Sequence, residues 1–472
     1  MKTIKITICS FLILLSSCNF EPRYHRPCME VPTSWRIQSD ETTTCANVDW
    51  WEELGDPVLN ALVDQALQNN KDLQAAIWRV GEFYARYQVE SSLLYPQIDS
   101  DGFALKQRFP ESASFLPLGF DPITPHYRIA FNLNYEIDFW GRVRSLSHAA
   151  CAKLLASAEN RRTVVLSLVS GVAQAYILIR QLDRELEVAY ATVEDRKEYL
   201  RIAKLRFEAG LTSEIEVTQA TDAYEETQAS ITVLKELIPI QENLLSVLLG
   251  ESPTCIVRGS AIDQFRLPFE VPAGLPSELL ERRPDIREAE LQLISANAAI
   301  GAARAAFFPK VSLTALLGVE SFQLKHLFAG TSRAWAYGAQ YLQQIFTGGR
   351  LTGELRLSIA QKQELLFQYE QVVLQAFREV NDALVAHRQA KELVTVEQRR
   401  VAAIKEYLRL AWLRYYDGQT DYLTVLDAER QLFTVEIELT KAQGSVFSSL
   451  VDLYKSLGGG WVLEADAEAL QS

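Results

Sequence analysis

The sequence is poor in residues that interrupt helices and in residues that do chemistry. None of its 16 prolines falls between Pro125 and Pro239, and none follows Pro309. Two long stretches are therefore free of the strongest helix breaker. The five histidines, His25, His126, His148, His326 and His387, are scattered, which gives neither a metal-ligand cluster nor a nucleophile-base pair. Asp99-Ser100-Asp101-Gly102 begins like a calcium loop but lacks the remaining ligands, and Gly348-Gly349 with Gly353 fails the dinucleotide spacing. No catalytic residue, metal or cofactor is expected, and the chain does not read as an enzyme. A basic surplus is missing too: 47 Lys and Arg stand against 60 Asp and Glu, a net charge of -13, which argues against nucleic acid as a partner. Beyond the N-terminus no run of 18 consecutive apolar residues occurs, so no transmembrane helix is expected and any membrane crossing must use strands.

What is present starts with an export signal. Lys2 and Lys5 precede a mostly apolar segment, and Leu15-Ser16-Ser17-Cys18 closes it with small residues before a cysteine. Residues 1–17 read as a cleaved signal peptide. Its end resembles a bacterial lipobox, which implies that Cys18 is the acylated first residue of the mature chain; the alternative is an ordinary signal with an accidental cysteine. A lipidated extension follows over 18–56. Export permits a bridge between Cys28 and Cys45, while Cys151 and Cys255 read as small apolar residues.

The chain repeats itself. Asn70-Lys71-Asp72-Leu73 resembles Arg283-Pro284-Asp285-Ile286, and Leu94-Tyr95-Pro96 resembles Phe307-Phe308-Pro309, both at an offset of 213 residues (72 to 285, 96 to 309). Gly141-Arg142 with Gly349-Arg350, the segments ending at Gly210 and Gly418, and Leu249-Gly250 with Leu457-Gly458 are instead offset by 208 (141 to 349, 210 to 418). The shift falls between Pro96 and Gly141, where a variable hairpin loop fits.

Each repeat has the same order. The first (57–250) is a helical segment from Pro57 to Leu94, a β-hairpin over 97–139, a long helix over 142–209 and a return helix over 212–249. A linker (251–275) leads to the second (276–458): a helix to Ala306, a hairpin over 310–346, a long helix over 350–417 and a return helix over 419–457. A tail occupies 459–472. Tyr127, Ile129, Phe131, Leu133, Tyr135, Ile137 and Phe139 alternate with polar or small residues, a period of two that suits either a half-buried sheet or a membrane barrel with lipid outside and water inside. Phe109 to Pro125, with four prolines, reads as a long hairpin loop. Leu366, Tyr369, Val373, Phe377, Val380 and Leu384 form a narrow helical seam. A helix of about 65 residues rises roughly 100 Å. Four strands leave two open edges, which a membrane does not tolerate. Cyclic association would close them; three copies, giving 12 strands, are favoured, and geometry alone also admits two or four. The expected fold is mainly α with a membrane β-barrel: long α-helical hairpins plus two β-hairpins per protomer, an internal two-fold repeat, and a trimeric α/β double barrel.

Several motifs carry a resemblance. Tyr24-x-x-Pro27, Trp50-Trp51 with Gly55-Asp56-Pro57, Tyr135 through Arg142, Gly210 through Ile215, and Leu279 through Ile286 together resemble the TolC-type outer-membrane efflux channels, in the OprM-like or NodT-type lipoprotein branch. The resemblance implies a homotrimeric duct in outer-membrane lipid, docked through a periplasmic adaptor protein on an inner-membrane pump. It implies adaptor contact at Gly210, Leu211, Thr212, Ser213, Gly418, Gln419, Thr420 and Asp421. It further implies a periplasmic gate at Leu423 and Asp427, with Tyr415 and Arg430 as latch partners. Leu423 and Asp427 are four apart and share a helix face, so copies around an axis would form an apolar ring beside a carboxylate ring. Thr424 stands where TolC has a second acid. A general porin would explain the strands but not the helices, and a periplasmic coiled-coil scaffold the helices but not the strands.

Overall fold

The computed structural model describes residues 19–37, 50–108, 110, 122–266 and 276–459. The expected signal peptide, Cys18, Cys45 and the tail from residue 460 lie outside the described residues. Helices α1 (Pro57–Asn69) and α2 (Lys71–Ser92) lead to strands β1 (Gln97–Arg108) and β2 (Ile123–Ile137), then to α3 (Arg142–Glu208) and α4 (Glu214–Leu248). The order recurs as α5 (Pro276–Arg282), α6 (Pro284–Ala305), β3 (Lys310–Ser321), β4 (Arg333–Leu342), α7 (Arg350–Tyr416) and α8 (Tyr422–Ser456). Both α3 and α7 have 67 residues and both α4 and α8 have 35, offset by 208 (142 to 350, 214 to 422). The pairs α2/α6 and β1/β3 are offset by 213 (71 to 284, 97 to 310). The change of offset therefore lies beyond Arg108 and Ser321.

Four expectations are corrected. The opening helical segment of each repeat is two helices, not one. Asn70 leaves helical geometry at ψ 130°; its Oδ1 accepts from Leu73 N at 2.9 Å and so starts α2, while its Nδ2 donates to Leu248 O at 2.9 Å. In the second repeat the break falls at Arg283, ahead of Pro284, and Arg283 donates to Ser456 O at 3.1 Å. Two different side chains thus satisfy the same orphan helix carbonyl. The hairpin loop is shorter than expected, because Ile123, Thr124 and Pro125 already belong to β2, with Pro125 opposite Lys106. Among the described residues one helix, α3, does contain an 18-residue window long and apolar enough to cross a membrane. That window is 56% buried within the protein, as a helix in a packed core would be. Finally, Cys255 is exposed rather than part of an apolar core.

The residues fall into two compact units. In the first (1–28, 79–158 and 288–370) the strands form one antiparallel sheet in the order β1-β2-β3-β4. Register places Ile98, Leu133, Ala315 and Tyr337 in one row and Ser100, Phe131, Leu317 and Trp335 in the next, all on one face. That face is exposed: Ile98, Phe131, Leu317, Trp335, Tyr337 and Tyr341 are open to their surroundings. The other face is polar and cross-linked. Asn132 reaches Asp99 at 3.2 Å and also bonds Asp101, Arg128 pairs with Asp101 at 3.1 Å, and His126 meets Glu320 at 2.7 Å. Among the described residues, β1 pairs only with β2 and β4 only with β3, so both outer edges are open.

The second unit (29–78, 159–287 and 371–472) holds α4, α8 and the parts of α3 from 159 and of α7 from 371, while Leu366 and Tyr369 of the α7 seam belong to the first. Tyr369, Val373, Phe377, Val380 and Leu384 of the seam are buried, and Leu366 is half-buried. The buried Asp56 caps α1 through Val58 N at 2.8 Å and also accepts from Tyr176 OH at 2.8 Å and Ser260 N at 3.0 Å. Trp50 stacks on Tyr454 at 5.0 Å, and Tyr454 OH donates to Glu53 at 2.9 Å.

Candidate functional site

The turns between α3 and α4 and between α7 and α8 are built alike. Gly210 and Gly418 take φ of +71° and +70°, a left-handed conformation that glycine adopts without a Cβ penalty. Leu211 N donates to Arg206 O at 2.8 Å and Gly210 N to Phe207 O at 2.9 Å; Gln419 N donates to Arg414 O at 2.8 Å and Gly418 N to Tyr415 O at 3.1 Å. Each is a Schellman cap that satisfies carbonyls the helix leaves unpaired. Ser213 and Asp421 then start the return helices in extended conformation.

Beneath the turns Tyr199, Ala203, Ala220, Ala223, Ala411, Tyr415, Tyr422, Val425, Leu426 and Ala428 form one buried cluster drawn from both hairpins. Tyr199 stacks on Tyr422 at 3.9 Å, and Arg206 lies 5.0 Å over the Tyr415 ring. The polar centre of this cluster is Glu216. Its Oε1 accepts from Tyr199 OH and from Tyr415 OH, each at 2.6 Å, and its Oε2 accepts from the Thr212 hydroxyl. Desolvation pushes the Glu216 carboxyl up, but the bonds from Thr212, Tyr199 and Tyr415 outweigh it and hold the group below the ordinary carboxylate range. Burial first, and Glu216 second, push the Tyr199 phenol far above its usual value.

Among the expected gate residues, Leu423 is 53% exposed and Asp427 is exposed one turn later. Asp427 accepts from Gln431 Nε2 at 2.7 Å and from Tyr407 OH at 3.4 Å. Tyr415 is buried and bonds Glu216, not Asp427. Arg430 donates to Glu226 of α4 at 3.1 Å. The four residues named from the sequence thus form two arrangements: an exposed Leu423/Asp427 face, and links from Tyr415 and Arg430 to the first hairpin. At the turns themselves, Leu211 is 70% exposed, Thr420 and Thr424 hydroxyls lie 2.8 Å apart, and Thr424 Oγ1 donates to Asp421 at 3.3 Å.

Sequence reasoning missed Glu216, Glu226, Tyr407 and Gln431. Glu216 had a signal, Thr212-x-x-x-Glu216 at a helix start, but reading it needed the partner tyrosines 17 and 199 residues away. It also missed a buried pair deeper in the hairpins. Arg196 is 3% exposed, and its Nη1 donates to Thr227 Oγ1 at 2.6 Å and Ala223 O at 2.7 Å, while its Nε and Nη2 have no hydrogen-bond partner. Glu429 faces it with Oε2 equally unpartnered. Burial pushes the Glu429 carboxyl up to about 7; Arg196 draws it down and Asp195 adds to the rise.

An outer membrane efflux protein family profile matches residues 62–251 and 275–459. The solvent efflux pump outer membrane protein SrpC of Pseudomonas putida is 37% identical over 458 residues, covering 95% of this chain and 97% of SrpC. The cation efflux system protein CusC of Escherichia coli is 32% identical over 453 residues, covering 95% and 97%. The crystal structure of the CmeC outer membrane channel of Campylobacter jejuni aligns with a TM-score of 0.90 at 26% identity, over 96% of this chain and 98% of that one. Sequence and fold agree along nearly the whole length: the chain is an outer-membrane efflux channel subunit and belongs to the outer membrane efflux protein family.

Proposed function

We propose that three copies of this chain form a passive duct across the outer membrane and periplasm, open to small molecules delivered by an inner-membrane pump through a periplasmic adaptor. The observation that carries this reading is the sheet. It has an apolar exposed face, a polar hydrogen-bonded face and two unpaired edges. Unpaired edges are costly in hydrocarbon, and joining β4 of each copy to β1 of the next removes them. Three copies supply 12 strands, four from each, with the polar face around a water-filled lumen.

The exposed Leu423 and Asp427 supply the gate, and the exposed turn residues from Gly210 to Ser213 and Gly418 to Asp421 meet the adaptor. Opening exchanges the Tyr415–Glu216 and Arg430–Glu226 links for adaptor contacts, so the adaptor must bind the open arrangement more tightly. Cys18 carries the lipid. Its neighbour Phe20 stacks on Phe308 at 4.4 Å and lies 6.0 Å from Trp140, beside the ends of β2 and β3 from which the helices depart. An acyl chain there enters the periplasmic leaflet.

Substrate choice belongs to the pump. SrpC is named for solvents and CusC for cations, yet each aligns with this chain over 95% of its length. The surplus acid favours cationic solutes in the lumen. Deletion of the gene is expected to raise drug susceptibility without impairing nutrient uptake; impaired uptake with unchanged susceptibility would favour a porin. Sedimentation of the purified protein as a trimer from the outer-membrane fraction separates the duct from a scaffold.

A further inference from the structure

Two acids are enclosed where α8 meets the first hairpin, and neither belongs to the proposed gate. Arg196 of α3 is buried and lies 5.6 Å over the Phe433 ring of α8. Its Nη1 donates to Thr227, to Ala223 and, at 3.4 Å, to Glu226 of α4, while Nε and Nη2 are sealed from solvent without a partner. Glu429 of α8, half-buried, faces this guanidinium with its Oε2 sealed in the same way, and no hydrogen bond joins the two. Farther from the turns, Glu185 of α3 is 4% exposed and accepts from Gln181 Nε2 at 2.8 Å. Lys441 acts on it from α8, and Gly444 of α8 admits the Gln181 amide where any Cβ would collide with it. Leu182, Ala189, Val193, Ile231, Leu234 and Ile238, with Phe433 packed against them, form an apolar wall beside both acids.

A carboxylate with an oxygen denied both water and a donor is costly, whereas the neutral acid in the same place is not. Burial pushes the Glu429 carboxyl up against the pull of Arg196, and pushes the Glu185 carboxyl up against Gln181 and Lys441. The ionisable groups around Glu429 are Asp195 and Arg196 of α3, Glu226 of α4 beyond Arg196, and Tyr422 of its own helix. On the α7 side Lys405 is taken up by Glu436 at 2.9 Å and Tyr407 by Asp427 at 3.4 Å. Among these groups Arg196 alone favours the ionised acid, and it reaches Glu429 through space rather than through a hydrogen bond. We propose that the joint between α8 and the first hairpin is a pH-operated fastening, closed while Glu429 and Glu185 are protonated and loosened as they ionise and Glu429 turns toward water. Arg430, the next residue, holds Glu226 at 3.1 Å across the same joint. Loosening there eases opening of the duct as pH rises; that consequence rests on the gate reading above, and the fastening itself does not.

The test uses the full-length protein purified in mild detergent. Amide hydrogen exchange of α8 is followed by mass spectrometry from about pH 5 to about pH 7.5 and corrected for the intrinsic pH dependence of exchange. Wild-type protection over the Tyr422–Lys441 segment should fall roughly tenfold or more across this range, because each opening lets Glu429 ionise in water. Glu429→Gln copies the protonated acid, so it folds and should lose most of that fall. Asp195→Asn changes an exposed residue that raises the Glu429 pKa, and it should move the midpoint of the fall to lower pH. A role for Glu429 in packing alone would not shift that midpoint. Protection that is flat or rises with pH in the wild type, or that falls equally in Glu429→Gln, overturns the fastening. Single-channel conductance of wild type and Glu429→Gln is recorded over the same range. If protection follows pH as expected while the two conductances respond alike, the fastening stands and the gate reading fails.

Discussion

The two hairpin turns descend from one repeated unit and share backbone geometry, yet they place their acids differently. At an offset of 208 residues (215 to 423) Ile215 answers Leu423, and both are exposed, at 68% and 53%. Glu216 of the first turn answers Thr424, and Gln219 answers Asp427. The first hairpin turns its carboxylate inward, where three hydroxyls from two hairpins hold it. The second has only hydroxyls at the equivalent place and carries its carboxylate on the exposed face. The repeat supplies two turns of like backbone; differences at these three positions make the first a fastener between hairpins and leave the second with an exposed carboxylate.

This contrast can be broken experimentally. The largest effect is expected from Leu423→Ala with Asp427→Asn, which, on the proposed gate, should raise single-channel conductance in planar bilayers roughly twofold or more. The matching pair Ile215→Ala with Gln219→Ala should leave it unchanged. Equal changes from both pairs would make the turns functionally equivalent and sink the assignment.

Glu216→Ala should cost about 2 kcal/mol of stability, since it removes an acceptor shared by three hydroxyls. The matching Thr424→Val should cost under about 1 kcal/mol. Denaturant midpoints of the two variants decide the order, and a costlier Thr424 change would contradict it.

Glu429 makes the second hairpin pH-sensitive in a way that its counterpart Thr221 does not. Its folded pKa of about 7 lies above the ordinary 4.5, so the fold favours the protonated form. That stabilisation is complete below pH 4.5 and is lost as pH rises to about 7, beyond which stability is flat. Over this window the loss is on the order of 3 kcal/mol per chain. Thermal midpoints measured across it should fall for wild type and lose most of that slope in Glu429→Gln; parallel curves would show that Glu429 ionises freely.

The smallest difference is expected at the caps. Gly210→Ala and Gly418→Ala should each cost about 1 kcal/mol of strain at positive φ, and nothing lies near enough to either position to add a clash. Unequal midpoint shifts would mean that one turn is held by contacts the other lacks.

How much of this the sequence disclosed follows from the range over which its patterns act. The equal lengths of α3 and α7 and of α4 and α8 were legible from the spacing of Gly141, Gly210 and Gly250 and their counterparts, because those glycines bound the helices: the first of each set precedes a helix start and the others follow helix ends. The alternation from Tyr127 to Ile137 announced the sheet's two faces for the same reason. Leu423 and Asp427 were legible as a face because helical spacing places them together. Glu216 was not, since one acid in a first helical turn looks like any N-terminal charge, and its tyrosines come from α3 and α7. The break at Asn70 carries no proline and was hidden in a continuing helical pattern, whereas Pro284 marks the break at Arg283 openly, although the expected helix runs through it. The side chains that fix those breaks reach helix ends in distant sequence.

Glu53 and Tyr454, hydrogen-bonded and joined through the Trp50 stack, are separated by 401 residues. A chain that crosses the inner membrane from its N-terminus releases Trp50 and Trp51 first and α8 last. Until α8 emerges, two tryptophans destined for burial face water, and the contacts that close the helical unit carry the largest loop-closure cost. Closure of the helical unit through this contact therefore waits for α8. A chain truncated before Tyr422 should leave tryptophan fluorescence red-shifted and quenchable, and supplying α8 as a separate peptide should restore part of the burial.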